Sequence, residues 1–330
     1  LNVVTGVSGA GKSTLVDRTL GRALRQRLHG AAARPGQHAT IEGAESIDKV
    51  IVVDQAPIGR TPRSNPATYT KVFDPIRALF ASSALAKERG WGKGHFSLNV
   101  PGGRCETCQG AGVQTVGMHF LGDVQVTCSD CSGRRFGSET LEVKHHGLSV
   151  LEVLELSVDR AAEVFHDQPR ISRVLRAMQD VGLGYLRLGQ PSTTLSGGEA
   201  QRVKLASELG RPSTGHTLLM LDEPTRGLHV SDVERLLGAL DRLVRRGNTA
   251  VIVEHDDQVI RAADWVVDLG PEAGDLGGRL VVAGTPEQVE AHATSATGAV
   301  LRGEYLEHPT LAPQGPPPPI RPRGVTTHNL

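Results

Sequence analysis

Residues 1–14 read Leu-Asn-Val-Val-Thr-Gly-Val-Ser-Gly-Ala-Gly-Lys-Ser-Thr, and this stretch decides the fold. The β-branched run before Gly6 is typical of a buried strand that feeds a turn, and helical spacing follows from Lys12 to about Leu28. Between strand and helix, Gly6 to Ser13 satisfies the pattern G-x-x-x-x-G-K-[ST] in full. We therefore expect the backbone amides and the helix N-terminus to hold phosphate groups, with Lys12 reaching the terminal oxygens.

The residues expected to contact a bound nucleotide belong to this loop: Gly6, Ser8, Gly9, Gly11, Lys12, Ser13 and Thr14. We expect Ser13 to ligate Mg²⁺. An apolar strand at 217–221 ends in Asp222 and Glu223, which are placed to bind Mg²⁺ and to orient or deprotonate an attacking water. An Asp-Glu pair after a strand is more often a solvated turn, but its position downstream of the phosphate loop reverses that preference.

A second anion site is predicted where Ser196, Gly197, Gly198 and Glu199 precede a helix. Leu195 to Glu199 resembles the signature of the ABC-type ATPases. The resemblance implies that the signature of one nucleotide-binding domain caps the γ-phosphate held by another, so that ATP and Mg²⁺ lie in a composite site and one domain alone hydrolyses poorly. It also implies that Gln55 is the Q-loop residue, which joins Ser13 and Asp222 in the Mg²⁺ environment, and that His255 senses the γ-phosphate.

The cysteines form two pairs, Cys105-x-x-Cys108 and Cys128-x-x-Cys131, separated by nineteen residues. Two knuckles of this spacing bring four thiolates to a closed tetrahedral site, which predicts structural Zn²⁺ rather than a catalytic metal. A disulfide pairing is the alternative, and the chain shows no secretory signal that favours it.

The charge is locally uneven, although 36 basic and 36 acidic side chains cancel over the whole chain. From Arg60 to Arg104, eight basic residues face two acidic ones. This excess before the cysteine module suggests contact with a phosphate backbone, with a solvated basic surface as the equal alternative. The expected double-stranded DNA contacts are Lys87, Arg89, Lys93 and Arg104. Trp91 and Phe96 are predicted to be core rather than base-stacking residues.

Several longer motifs narrow the resemblance to the second nucleotide-binding half of the UvrA family: 54–69, 102–108, 118–121, 182–185, 195–205, 268–271 and 284–286. This family recognises damage in bacterial nucleotide excision repair. The resemblance implies a zinc-carrying signature domain inserted between Q-loop and signature, head-to-tail dimers that scan DNA, and a UvrB-like partner docked on the half that is absent. Three positions depart from the family pattern: Ala10, His95 and Arg226.

The predicted fold class is α/β, an ABC-type P-loop ATPase domain with an inserted helical, zinc-binding signature domain. The expected divisions are 1–75 and 191–298 for the ATPase domain, 76–190 for the insertion with its zinc module at about 100–137, and 299–330 for a Pro-rich tail. Residues 320–330 resemble the opening of another half, which favours an internal slice of a longer protein. Other expected strands are 49–54, one after residue 137, and 249–253. Expected helices are 69–89, 149–156, 157–165, 171–181, 195–209 and 231–246.

Two other functions remain open at this point. Some UvrA-like proteins protect antibiotic producers from DNA-targeting drugs, and this sequence does not separate that task from repair. The first cysteine knuckle also resembles the zinc repeats of DnaJ-type chaperones, a fold that needs four such repeats. No apolar run approaches the roughly 20 residues of a membrane span, so we expect a cytoplasmic protein.

Overall fold

The computed structural model describes residues 1–117, 124–211 and 215–304. Within these ranges the strands are β1 (Asn2–Gly6), β2 (Lys49–Val53), β3 (Val113–Val116), β4 (Val124–Thr127), β5 (Thr217–Asp222), β6 (Thr249–Val253), β7 (Trp265–Gly270) and β8 (Arg279–Gly284). A six-stranded sheet has the order β2-β5-β6-β1-β7-β8, parallel except for the β7–β8 edge, and β3 pairs with β4 as a separate antiparallel hairpin. The α/β class is confirmed.

The helix after the phosphate loop is π-helical over Thr14–Gly21 and continues as α1 (Arg22–His29). The remaining α-helices in the described ranges are α2 (Pro66–Tyr69), α3 (Phe73–Ser82), α4 (Ala84–Glu88), α5 (Ser138–Glu142), α6 (Val150–Glu155), α7 (Val158–Val164), α8 (Pro169–Asp180), α9 (Gly197–Leu209), α10 (Val230–Val244), α11 (Asp257–Arg261), α12 (Pro286–Glu290) and α13 (Ala296–Leu301). None of these helices is both long and apolar enough to cross a membrane.

Two expectations for local structure are wrong. The segment after Gly137 begins with helix α5 instead of a strand, because Thr140 turns inward and donates its hydroxyl to the Gly103 carbonyl at 3.0 Å. The helix expected over 69–89 is divided into α2, α3 and α4. Lys71 has a left-handed φ of 61° and Ser83 is extended, so neither continues a helix.

The sheet separates two apolar clusters. Along β5, Leu219 and Leu221 face the larger cluster, which includes α8, α9 and α10, while Leu218 and Met220 face the cluster around the phosphate-loop helix. This alternation is the period of two that a strand imposes on its side chains. Each buried leucine contributes roughly 1.5–3 kcal/mol, so the central strands are held firmly from both faces.

The sheet order brings three loops together. Strands β5, β6 and β1 are neighbours and run parallel, so the segments after Gly6, Asp222 and Val253 leave the same edge of the sheet. Ligands of open α/β sheets bind at the carboxyl ends of the strands. Two features of the sequence, Met118 to Leu121 and the proline run 316–319, lie outside the described residues.

Candidate nucleotide and zinc sites

The phosphate loop is shaped by glycine. Gly6 has φ of 131°, and a Cβ at that position would lie 1.9 Å from the carbonyl oxygen of Leu269 in β7. Only glycine allows β1 to run this close to β7 and still turn into the loop. The 271–278 segment covers the other side, where Gly274 and Gly278 donate to the carbonyls of Gly9 and Ala10 at 3.3 and 3.1 Å.

Lys12 lies buried under this loop. Its Nζ donates to the carbonyls of Gly6 and Val7 at 2.8 and 2.9 Å. Burial lowers the pKa of Lys12, and the nearby carboxylates of Glu223 and Asp222 oppose that shift. An ammonium with two carbonyl partners and two nearby carboxylates is ready to exchange those partners for phosphate oxygens.

A cavity of 470 Å³ lies between the helix that follows the loop and the carboxyl ends of β2 and β5, and its lining includes both Ser13 and Asp222. Its size fits a small ligand. Burial raises the pKa of Asp222, and neighbouring Glu223 raises it further. A hydroxyl and a carboxylate that line the same cavity are oxygen ligands of the kind that Mg²⁺ prefers, so these two residues fit the metal.

Glu223 follows Asp222 in a left-handed conformation with φ of 46°, which is uncommon for a residue with a side chain. Its carboxylate lies 3.8 Å from His255 Nε2 and 3.7 Å from an Arg226 guanidinium nitrogen. The structure therefore brings the expected base and the expected switch histidine together. Arg226, one of the departures from the family pattern, also contacts this base.

The signature segment is exposed. Ser196 and Gly197 are open to solvent at the N-terminus of α9. Glu199 closes a capping box, with its carboxylate accepting from the Ser196 backbone N–H at 2.8 Å. Tyr185 donates to the other oxygen of Glu199 at 2.7 Å, and burial raises the pKa of Tyr185 to about 12. The N-terminus of α9 is thus fixed by side-chain hydrogen bonds and open to solvent at Ser196 and Gly197.

Gln55 lies beside the signature and does not line the 470 Å³ cavity. A Cβ on Gly197 would be 3.3 Å from the Cβ of Gln55. Helix α9 holds this region in place, because Lys204 donates to the carbonyls of Asp54 and Ala56 at 3.1 and 2.6 Å. The Q-loop residue Gln55 and the signature segment are therefore packed against each other within one chain.

The four cysteines converge as the spacing predicts. Their sulfur atoms lie within 4.8 Å of one another, with Cys105–Cys128 at 4.0 Å and Cys108–Cys131 at 3.7 Å. A tetrahedral zinc with Zn–S bonds of 2.3 Å places its sulfurs roughly 3.8 Å apart, so the cluster fits Zn²⁺. Burial raises the pKa of Cys131 to about 12, which is the cost that a metal offsets when it binds the thiolate.

The comparisons with known proteins agree with this geometry. The ABC transporter family profile matches residues 110–226. UvrABC system protein A of Bacillus subtilis is 58% identical over 299 residues, which make up 91% of this chain and 31% of that protein. The Aquifex aeolicus protein of the same name is 56% identical over 308 residues, 93% of this chain and 33% of that protein. The crystal structure of UvrA2 from Deinococcus radiodurans matches with a TM-score of 0.85 and 52% identity, over 92% of this chain and 36% of that one.

This chain is a UvrA homologue in the ABC ATPase superfamily. It spans about a third of the length of the curated relatives that it matches. The resemblance stated from the motifs is confirmed.

In this UvrA homologue the four residues predicted to contact DNA differ in whether their charged groups already have partners within the chain. Arg89 donates to the Glu139 carbonyl and to the Glu142 carboxylate, and its guanidinium lies 4.9 Å from the Trp91 ring centroid. Arg104 pairs with Glu106 at 3.4 Å and its side chain is only 10% exposed. Two exposed lysines, Lys87 and Lys93, have no ion-pair partner within the described ranges.

The aromatic residues of the same segment are packed. Phe96 is fully buried, as predicted, and Trp91 stacks on His95 with ring centroids 3.8 Å apart. His95 also bonds Thr140 Oγ1 at 3.0 Å, and burial lowers its pKa. This departure from the family pattern therefore carries a structural contact, and its burial disfavours the charged form of the ring.

Sequence reasoning missed two residues of the UvrA-like site. Glu254 is 3% exposed and accepts from Thr225 Oγ1, Thr225 N–H and His255 N–H at 2.5, 2.9 and 2.7 Å. Gln201 donates to the carbonyls of Val53 and Asp222 at 3.0 and 2.7 Å. The sequence signal for Glu254 was its position directly before His255, at the end of a predicted strand.

Proposed function

We propose that this chain is the C-terminal nucleotide-binding half of a UvrA-type subunit, which binds DNA under the control of ATP in bacterial nucleotide excision repair. One observation carries the proposal. The signature faces solvent at Ser196 and Gly197, while Lys12, Asp222 and Glu223 of the same chain meet at one sheet edge. One chain supplies the phosphate loop of one composite site and the signature of another. A second nucleotide-binding half is therefore needed to complete either site.

Within this site each residue has a separate task. Lys12 neutralises the terminal phosphates, while Ser13 and Asp222 hold Mg²⁺, which supplies Lewis-acid charge when bound. Glu223 orients and deprotonates the attacking water, and His255 lies within 3.8 Å to hold that carboxylate and to contact the γ-phosphate. Gln55 reports the state of the nucleotide to the signature that it packs against.

In this proposal, closure of the composite site couples ATP binding to the association of two nucleotide-binding halves. The N-terminus of α9, with the Ser196 hydroxyl and the backbone amides of Gly197 and Gly198, caps the triphosphate bound by another half. Glu199 keeps these donors in place through its capping box. ATP thus holds two halves head to tail, and hydrolysis releases them.

The inserted region, which we place at residues 76–190 between ATPase pieces 1–75 and 191–298, would carry this movement to DNA. In this proposal the four-cysteine zinc site holds the β3–β4 hairpin in place, and the exposed Lys87 and Lys93 contact the phosphate backbone. Recognition then depends on the shape and deformability of the duplex rather than on base edges. A UvrB-like partner would dock on the missing half, and the incision itself belongs to another subunit.

Duplex-DNA binding of the zinc-loaded chain, with and without a lesion, tests the proposal when it is titrated with salt and ATP. We expect affinity to fall steeply with salt and to change with ATP. Glu223→Gln should retain ATP binding and lose at least about a hundredfold in hydrolysis, while Glu234→Gln, at an exposed position on α10, behaves as the parent. Affinity that is indifferent to salt rules out the DNA contact.

Deletion in the host separates repair from the self-resistance alternative. Loss of ultraviolet resistance supports the repair task. Loss of tolerance to a DNA-targeting drug, with ultraviolet resistance intact, assigns the same ATPase to self-resistance.

A further inference from the structure

A second concave site lies at the far end of the sheet from the phosphate loop. Its cavity of 610 Å³ is formed by α8, the C-terminal end of α9 and the C-terminal end of α10. A smaller cavity beside it shares Arg211 and Arg246 and is lined by Lys49 and Thr217, the first residues of β2 and β5. The site is therefore at the amino ends of the strands, whereas the nucleotide residues lie at the carboxyl ends.

The walls of this cavity are crowded with positive charge. Its lining includes Arg173, Arg176, Arg211, Arg242 and Arg246. Asp180 is the one carboxylate among the described lining residues, and it pairs with Arg242 at 2.6 Å. Arg211 pairs with Glu208 at 2.6 Å. The other three arginines have no ion-pair or hydrogen-bond partner for their guanidinium groups within the described ranges.

Such a cluster costs free energy in a ligand-free protein. Three unpaired guanidinium groups that face one cavity repel one another, and a concave wall strengthens their combined field. An anion that binds in the cavity removes this cost.

We propose that this cavity binds a compact anion carrying two or more phosphate groups, at a site separate from the phosphate loop and independent of the function proposed above. The guanidinium group is suited to it, since its forked donors match phosphate oxygens two at a time. The volume lies within the range of small-ligand pockets. The buried hydroxyl-bearing Ser172 and the apolar Leu243 complete the floor.

The arrangement favours a compact anion over a nucleic-acid backbone. A duplex presents its phosphates along an extended rod and would need a stripe of cations across the surface. Here Arg173 and Arg176 on α8 and Arg246 beyond α10 converge on one space instead. Several oxygens of one small ligand can meet them together.

Isothermal titration of the 330-residue chain with inorganic tripolyphosphate tests the proposal. All proteins carry Lys12→Ala, so that the phosphate loop does not contribute. We expect one bound tripolyphosphate, and at least about tenfold weaker binding in Arg173→Gln/Arg176→Gln/Arg246→Gln because three charge-assisted contacts are lost. The matched control is Arg160→Gln/Arg170→Gln/Arg235→Gln, which removes the same charge from exposed positions outside the cavity.

The outcomes separate the ligand sources. A control that retains parent affinity while the cavity variant loses it supports the proposal. Equal affinity in both variants overturns it. If tripolyphosphate does not bind and only short duplex DNA loses affinity in the cavity variant, the arginines form a backbone surface and the compact-anion site is also overturned. Thermal unfolding without anion checks folding, and Arg176→Gln alone replaces the triple variant if that one unfolds.

Discussion

Glu254 is a single buried carboxylate that connects two loops at the sheet edge where the proposed nucleotide residues meet. It accepts hydrogen bonds from both sides of the site: from Thr225, which follows the proposed base, and from the backbone of His255. Its oxygens therefore form one link between the loop after β5 and the loop after β6, beside the direct bond from the Glu223 N–H to the Val253 carbonyl at 2.9 Å. If this link is broken, Thr225 and the backbone of His255 lose their shared acceptor, while the Glu223 and His255 side chains remain present.

We expect Glu254→Gln to lower the free energy of unfolding by about 1–3 kcal/mol, because its amide hydrogens would face backbone N–H donors in a buried place. ATP hydrolysis should fall by at least about tenfold, since the base and the histidine shift apart. Thermal unfolding and steady-state hydrolysis measure the two effects. The control is Glu234→Gln, an exposed glutamate on α10. Full activity in Glu254→Gln would mean that the loops are held by other contacts.

For single residues, the sequence predicts those roles that depend on a motif of fixed spacing. The phosphate-loop pattern places Lys12 and Ser13, and two C-x-x-C knuckles place four sulfurs that do meet. Glu254 and Gln201 follow no such rule. Their roles depend on which strands become neighbours, because Gln201 bonds the ends of β2 and β5 across the sheet.

Among the elements, helix α6 has a start that depends on pH. Glu152 accepts from Lys144 Nζ at 2.7 Å and from the N–H and hydroxyl of Ser149 at 2.7 and 2.6 Å. The bond from Lys144, followed by those from Ser149, lowers the pKa of Glu152 to about 2. The folded state therefore favours the carboxylate. Its stabilisation is complete above the ordinary glutamate pKa of about 4.3 and is lost as the pH falls toward about 2.

Glu152→Gln should lower the free energy of unfolding by about 0.5–1 kcal/mol at neutral pH, because a solvent-exposed capping box contributes only that much. The difference from the parent should shrink as the pH falls below about 4.3. Urea unfolding at a series of pH values measures it, with Glu155→Gln on the same helix as control. A difference that stays constant across this window would contradict the role of the charge.

The zinc module is the element whose stability we expect to depend on a metal. Cys131→Ser should reduce bound zinc from one per chain to none, because a hydroxyl is a poor substitute for a thiolate. The module should then unfold at lower temperature, while ATP binding at the distant sheet edge stays unchanged. Zinc release assays and thermal unfolding measure this, and Ser129→Ala serves as control. Parent-like zinc content in Cys131→Ser would exclude the four-cysteine site.

Helices and strands whose apolar residues repeat with a clear period could be predicted from the sequence. Elements whose bounds are fixed by tertiary contacts could not. Helix α9 and strand β5 lie where the apolar spacing places them. Helix α5 has only five residues, and its start is fixed by the bond from Thr140 to the Gly103 carbonyl, a contact 37 residues away in sequence. No local pattern encodes such a contact.

For the whole molecule, the sequence predicted an α/β sheet interrupted by an inserted module, but it could not predict the strand order or the arginine cavity. Arg173, Arg211 and Arg246 come from three separate segments that meet only when the sheet is folded. The role of the exposed signature can likewise be judged only from the whole molecule. Its exposure at Ser196 and Gly197 supports our proposal that Lys12 and Ser196 serve the same nucleotide from different halves.

That implication can be tested by complementation between two inactive variants. Lys12→Ala removes the phosphate contact but keeps the signature. Ser196→Arg blocks the signature but keeps the phosphate loop. Each protein alone should hydrolyse ATP at least about a hundredfold more slowly than the parent, because every composite site in its dimer lacks one part.

An equal mixture should recover about a quarter of the parent rate, because about half of the dimers are mixed and each of these has one complete site of two. Thr193→Arg, exposed next to the signature, is the control for the added side chain and should remain active. Steady-state hydrolysis across mixing ratios measures the recovery, which should peak at equal amounts. If the mixtures never exceed the sum of the separate rates, two copies of this chain do not complete each other's sites, and a head-to-tail pair of identical halves is refuted.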